Sequence, residues 1–337
     1  MACCARCFGD RGLTEEIIPN RSQGLGNCAY CHAENVQVVE PAALADYFEV
    51  LTGIYEPDRD GKLIVEWLRE DWGLFDNPEM DDPRARALLA DILDDGNITV
   101  RRYSPSPRFQ SDGLRQWEQL RDELMHKNRY FPETEIDFKR LASLLSQLQE
   151  TQMPRLWFRA RMNVSEAAIP LEDMGPPPKR STTHGRANPA GIPYLYLAST
   201  ADTAISEIRP HTGEIASVAE FEIAEGLQIA DLRNPRKKLS PFLLEEDEIG
   251  PMRAEIPFLE RLGAELTRPI LPQGAAIDYV PSQYLCEFIK KCGFDGVLYR
   301  SSVGDGINLA LFFPAKARGL DVRQFRVQRV TVAIQDV

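Results

Sequence analysis

Residues Gly185 to His211 read GRANPAGIPYLYLASTADTAISEIRPH. A Gly/Pro/Asn turn leads into an aromatic strand, YLYLAS, and the strand into a short helix, all within 27 residues. Gly185, Gly191 and two prolines restrict the turn just before the strand, a place where chains often present functional groups. Ser199 followed by Asp202 reads as an N-terminal capping pair, so a helix is expected from near Thr200 to around Pro210. It carries one late acid, Glu207, with Arg209 close behind. Taken alone, the ordinary reading of Glu207 beside Arg209 is a surface ion pair, and that of Arg186 a solvated loop residue.

Outward from this stretch, the C-terminal half keeps a mixed character from Met153-Pro154 onward. LWFRARM, Leu156 to Met162, reads as a strand, and the three prolines of EDMGPPPKRSTTHGRANPAG forbid a helix in the loop that follows. SVAEFEIAEGLQIADL reads as two strands joined by a Glu-Gly turn. A helix-rich insert is expected over Leu239 to Leu271. Pro281 opens another helix, with Tyr284, Leu285, Phe288 and Ile289 as its apolar residues and Gly293 as its stop. GVLYRSS and NLALFF are short strands, and FRVQRVTVAI alternates like a last one. Strands mixed with helices, without regular βαβ repetition, indicate an α+β fold.

Toward the N-terminus the pattern is helical. Leu114, Trp117, Leu120 and Leu124 recur at helical spacing, as do Phe138, Leu141, Leu144, Leu145 and Leu148, and ARALLADIL reads the same way. Residues 39–150 are therefore expected to form an α-helical domain. Residues 1–38 are short and Cys/Gly-rich. Cys4, Cys7, Cys28 and Cys31 make two Cys-x-x-Cys turns 20 residues apart, the spacing of a structural zinc ribbon with four thiolate ligands. Such a segment has no core of its own, so metal binding would supply its folding energy. Cys3 and His32 are spare candidates. Four thiolates close the coordination sphere, so the role expected is structural.

Length and charge bound the rest. A chain of 337 residues exceeds one modest core. Residues 1–149 carry 17 Lys+Arg against 27 Asp+Glu, a net of −10, whereas residues 150–337 come to −2. That balance argues against a nucleic-acid clamp, which needs a basic face. No stretch approaches a membrane span, and MACCARCFGD lacks the apolar core of a secretory signal, so a cytoplasmic protein is expected.

LWFRARM, GRANPAGIPYLYLASTADTAISEIRP and CGFDGVLYRSSVGDGINLALF, in this order, resemble the RES domain family over about residues 153–335. The family is named for its arginine, glutamate and serine, and its members act on NAD+, commonly as toxins of bacterial toxin–antitoxin pairs. The resemblance implies an α+β domain similar to ADP-ribosyltransferases over residues 151–337. It places the arginine on Arg159, with Arg161 as rival, the glutamate on Glu207, and the serine on Ser301, with Ser302 adjacent. Arg186 and Asn308 also fall at motif positions. Arg161, Arg186, Tyr299 and Asn308 are the candidates for holding substrate, while Tyr194, Tyr196 and Tyr299 also read as strand aromatics that pack or wall a pocket.

The implied chemistry suits these residue types. NAD+ carries its own leaving group, and departure of nicotinamide leaves an oxocarbenium-like ribose that a carboxylate such as Glu207 stabilises. A guanidinium such as Arg159 pairs with the pyrophosphate. Ser301 would hold a ribose hydroxyl or position the attacking oxygen. Water as acceptor makes a glycohydrolase, and inorganic phosphate makes a phosphorylase. No Gly-x-Gly-x-x-Gly fingerprint supports a dehydrogenase. Two other readings stand beside this one: an ADP-ribosyltransferase acting on a macromolecule, and a HEPN-type ribonuclease using Arg121 and His126 of LRDELMH. Those two side chains are about 140° apart on an ideal helix. The stretch from Glu40 to Val100, with 16 acidic against 5 basic residues, would repel RNA and suits a regulatory module. An antitoxin or regulatory protein is the partner expected, and an oligomer is compatible with the sequence.

Overall fold

The computed structural model describes residues 1–22, 24–271 and 273–331. By its contacts the chain divides into two compact units, Met1–Leu114 with Asn234–Glu260, and Arg115–Arg233 with Arg261–Val337.

The first unit begins with β1 (Cys3–Cys4), α1 (Ile18–Arg21), β2 (Leu25–Gly26) and β3 (Val36–Val39), the strands forming a small antiparallel sheet in the order β1-β3-β2. Phe8 meets Phe48 and Phe75 with ring centroids 5.5 and 5.7 Å away, so the cysteine-rich segment has an aromatic anchor in the residues after it. There follow α2 (Ala45–Thr52), β4 (Tyr55–Leu63), α3 (Ile64–Trp72), α4 (Asp82–Leu93) and β5 (Arg102–Pro105). Asp81 caps α4 by accepting from the Arg84 amide. β4 and β5 pair antiparallel across α3 and α4, a two-stranded sheet that the helical expectation for residues 39–150 did not contain. YEPDRDGKL shows no apolar alternation, and its pairing depends instead on backbone closeness: a Cβ on Gly61 would lie 2.0 Å from the Tyr103 carbonyl oxygen.

The second unit opens with α5 (Gly113–His126) and α6 (Phe138–Gln147), which bury Trp117, Leu120, Leu124 and Leu141, Leu144, Leu145 at the expected spacing. Its strands are β6 (Gln149–Glu150), β7 (Leu156–Met162), β8 (Leu195–Ala198), β9 (Ile215–Ile223) and β10 (Ile229–Asp231). α7 (Ala201–Glu207) lies between β8 and β9 in sequence. α8 (Pro235–Lys238), just ahead of the expected insert, and α9 (Glu246–Thr267) as far as Glu260 belong to the first unit. After them come α10 (Ala275–Asp278), α11 (Val280–Lys291), β11 (Gly296–Arg300), β12 (Ile307–Leu311) and β13 (Ala317–Arg326).

Among the described residues the strands form an eight-stranded mixed sheet in the order β13-β9-β7-β8-β12-β11-β10-β6. The architecture is α+β, as the sequence indicates. β9 and β10 are not partners: β9 sits between β13 and β7, and β10 runs parallel to β11. A turn read from Glu-Gly thus joins two strands that part to different neighbours. β13 ends at Arg326, short of the expected FRVQRVTVAI strand, of which residues 332–334 lie outside the described residues.

One face of the sheet buries Trp157, Leu195, Leu197, Phe221, Leu309 and Leu311. On the other, Ala160, Ala198, Ala204 and Val218 pack together. These small side chains let α7 lie close on the strands, and this second face carries the chemistry.

Candidate active site

α7 starts where its cap is satisfied. Thr200, not Ser199, is the N-cap, its hydroxyl accepting from the Thr203 amide at 3.1 Å. Ser199 Oγ instead accepts from the Ile307 amide at 3.1 Å, tying the helix entry to β12. The helix stops after Glu207, because Arg209 adopts a left-handed conformation, φ +49°, and Pro210 follows.

The loop from Ser301 to Gly306 is drawn tightly onto α7. A Cβ on Gly306 would lie 2.0 Å from Thr203 Oγ1, so only glycine permits this approach. The Ser301 amide donates to the Gly306 carbonyl at 2.9 Å, closing the loop on itself. Ser301 Oγ then donates to Glu207 Oε1 at 2.7 Å. Asn308, opposite Ala198 on β8 and Tyr299 on β11, lies on the same face of the sheet. Its Nδ2 donates to the same Oε1 at 2.6 Å. Ser301 and Asn308 are buried whereas Glu207 is exposed, so a carboxylate at the surface is held from beneath by two buried donors. Both take Oε1, and the second oxygen is the one available to a ligand.

Arg159, Arg186, Glu207, Tyr279, Tyr299 and Asn308 line one cleft of about 490 Å³, a size usual for a small-molecule site. Here β7 and β8 share only the pair Phe158–Ala198, and Arg159 donates to the Tyr196 carbonyl at 3.0 Å. Arg159 Nε is buried without a hydrogen-bond partner. Burial and the neighbouring Arg161 charge pull the Arg159 guanidinium down to about 10. An under-bonded, desolvated cation on a cleft wall is suited to an anionic ligand. Burial raises the Tyr299 phenol well above its ordinary value, with Tyr196 and Glu207 adding to the effect.

Arg186 rides on the GRAN turn. The Gly185 amide bonds the Asn188 carbonyl at 2.9 Å, and Tyr196 Oη donates to Asn188 Oδ1 at 2.7 Å. From α11, Gln283 Nε2 donates to the Gly185 carbonyl at 2.8 Å and Ser282 Oγ to that of Arg186 at 2.6 Å. Arg186 itself donates to the Arg268 carbonyl at 2.8 Å and lies 5.5 Å from the Tyr279 ring centroid. A Cβ on Gly185 would lie 2.3 Å from Asn188 Oδ1 and 2.6 Å from Tyr196 Oη. Gly185→Ala is therefore expected to cost about 1–3 kcal/mol of stability and to displace Arg186. A thermal melt checks the first effect and ligand affinity the second; unchanged values of both would contradict this account of the turn.

The other candidates are placed as follows. Arg161 donates to the Gly175 carbonyl at 2.7 Å and does not line this cleft. Ser302 lines it, whereas Ser301 reaches it through Glu207. Arg121 is ion-paired with the buried Glu265 at 3.0 Å, where Arg261 and Arg268 also converge. His126 is the exposed last residue of α5, and among the described residues no bond joins it to Arg121. Tyr279, Ser282, Gln283 and Gly306 escaped the sequence reading. Ser282 and Gln283, polar residues that open an otherwise apolar helix, were the available signal.

In the other unit the four thiols of Cys4, Cys7, Cys28 and Cys31 are buried and lie within 4.8 Å of one another. The closest pairs are Cys7–Cys28 at 3.3 Å and Cys4–Cys31 at 3.5 Å. Zn–S bonds of about 2.3 Å place tetrahedral sulfurs about 3.8 Å apart, so the cluster fits a metal ion that draws the thiols slightly outward. Cys3 and His32 are outside it. Among the described residues no helix is long and apolar enough to cross a membrane.

Comparison with known proteins gives three findings. A family model described as the RES domain matches residues 156–333. Among solved structures, a chain of the M. tuberculosis MbcT–MbcA toxin–antitoxin complex is similar at 14% sequence identity and a TM-score of 0.33, over 55% of this chain and 92% of that one. No curated protein matches.

Proposed function

Because the chain belongs to the RES domain family, whose model spans more than half of it, we propose that it cleaves the nicotinamide–ribose bond of NAD+. The observation that carries this reading is the convergence of Ser301 and Asn308 on one oxygen of Glu207, on a cleft that Arg159 and Arg186 also line. The C1′–N bond breaks and its electron pair leaves with nicotinamide, which needs no proton to depart. The ribose is left with oxocarbenium character, and the free oxygen of Glu207 stabilises it through the ribose hydroxyls. Water or inorganic phosphate then bonds to C1′; water gives up a proton in doing so. Arg159 and Arg186 supply cationic hydrogen-bond donors for the dinucleotide's phosphates.

The four-thiol cluster serves as a structural zinc site, within a ribbon over residues 1–38, a regulatory region over 39–150 and a catalytic domain over 151–337. In a toxin–antitoxin setting, a protein partner restrains the enzyme. Transfer of ADP-ribose to a macromolecule would use the same Glu207. The ribonuclease reading is disfavoured by the commitment of Arg121 to Glu265.

The test is NAD+ loss by the purified full chain, with and without inorganic phosphate, with products identified. Nicotinamide with ADP-ribose names a hydrolase, and a phosphorylated ADP-ribose formed only with phosphate names a phosphorylase. Intact NAD+ under both conditions would reject the proposal.

A further inference from the structure

Beside the cleft holding Glu207 is a second of about 920 Å³, and Arg209 and Ser302 line both. Its wall includes Arg326 and Arg329 from the end of β13 and the residues after it, with Asp202 as its lone acid among the described residues. The second cleft is thus net cationic although the chain as a whole is acidic. Arg326 donates to the Gly213 carbonyl at 3.2 Å, whereas no hydrogen bond or ion pair holds the side chain of Arg209 or Arg329 among the described residues.

Arg209 also occupies a costly conformation. It follows the last turn of α7 with φ +49°, at the position where helices ordinarily place glycine. Glycine would end the helix with less strain but leave the shared wall without a cation. The arginine puts a cationic side chain two residues from Glu207, on a cleft that Ser206 and Ser302 also line.

We propose that Arg209 and Arg329 form a phosphoryl-binding subsite in this second cleft, next to the bond that is cleaved. The proposal rests on the NAD+-cleaving reading of Glu207. A guanidinium pair with nearby hydroxyls suits a phosphoryl dianion or diester, bound through paired charge-assisted hydrogen bonds. Two sources share this chemistry: inorganic phosphate arriving as acceptor, and a phosphate of the dinucleotide itself.

The experiment is calorimetric binding of inorganic phosphate and, separately, of ADP-ribose to the full chain, its R209N variant and its R329Q variant. Asparagine tolerates the left-handed conformation, so R209N removes the charge and keeps the helix end. Arg329 lies outside any helix or strand, which gives a second variant independent of that turn. Affinity for one ligand is expected to weaken by about tenfold or more in both variants. Loss confined to phosphate identifies the acceptor, and loss of ADP-ribose identifies the dinucleotide. Unchanged affinities in both variants, or a wild type that binds neither ligand, overturn the subsite. A chain that binds through these arginines yet leaves NAD+ intact rejects the cleavage reading and keeps the subsite.

Discussion

Replacing Glu207 by glutamine is expected to slow NAD+ cleavage by about 10³-fold while leaving thermal stability near that of the wild type. Glutamine keeps the volume and an oxygen to accept from Ser301 and Asn308, but it removes the negative charge that opposes the oxocarbenium. Stability should hold because Glu207 is exposed. Asn308→Ala keeps the carboxylate and removes one of its two donors, so a smaller loss of about 10- to 100-fold is expected. Kinetics on the two variants beside melting curves distinguish charge from position. Full activity in Glu207→Gln would remove the carboxylate from the mechanism, whatever the other variants do.

The second large effect is on folding. Cys28→Ser, or treatment with a strong zinc chelator, is expected to empty the four-thiol cluster and to unfold the first 40 residues or so. β1 and β2 are two residues each, too short to hold the segment by backbone pairing. Structural zinc in small ribbons contributes on the order of 10 kcal/mol, more than the aromatic contacts of Phe8 can replace. Metal analysis should return one zinc per chain for the wild type and none for Cys28→Ser. Limited proteolysis should cut the variant near its N-terminus. A metal-free wild type, or a Cys28→Ser chain that melts like it, would show that the thiols do not serve a metal.

Features set by local chemistry were legible in the sequence. The helices of Trp117 and Leu144, the strands at Leu156 and Leu195, and the stop at Gly293 follow from period, turn residues and caps. So did the four cysteines, because their spacing alone makes a ligand set. Features that depend on close approach between distant segments were not legible. Nothing around Gly306 says that Thr203 will press against it, and nothing around Gly61 announces Tyr103. The cap of α7 was misplaced by one residue because Ser199 and Thr200 are both good caps, and the choice falls to Ser199's bond with β12. Motif order could select Glu207, Ser301 and Asn308 as candidates but could not say that two of them share one oxygen of the third.

The position of β12 in the sheet also sets when Glu207 can gain its two donors during synthesis. β12 lies between β8 and β11, yet it comes later in the chain than either. Glu207 emerges 94 residues before Ser301 and 101 before Asn308, its two donors. Until β12 inserts, the sheet is split and the carboxylate has neither support. At about 5–20 residues per second, this leaves the carboxylate without its donors for roughly five to twenty seconds after it is made. On the NAD+-cleaving reading, the acid would therefore gain its capacity only once β12 has joined the sheet, long after its own helix is made.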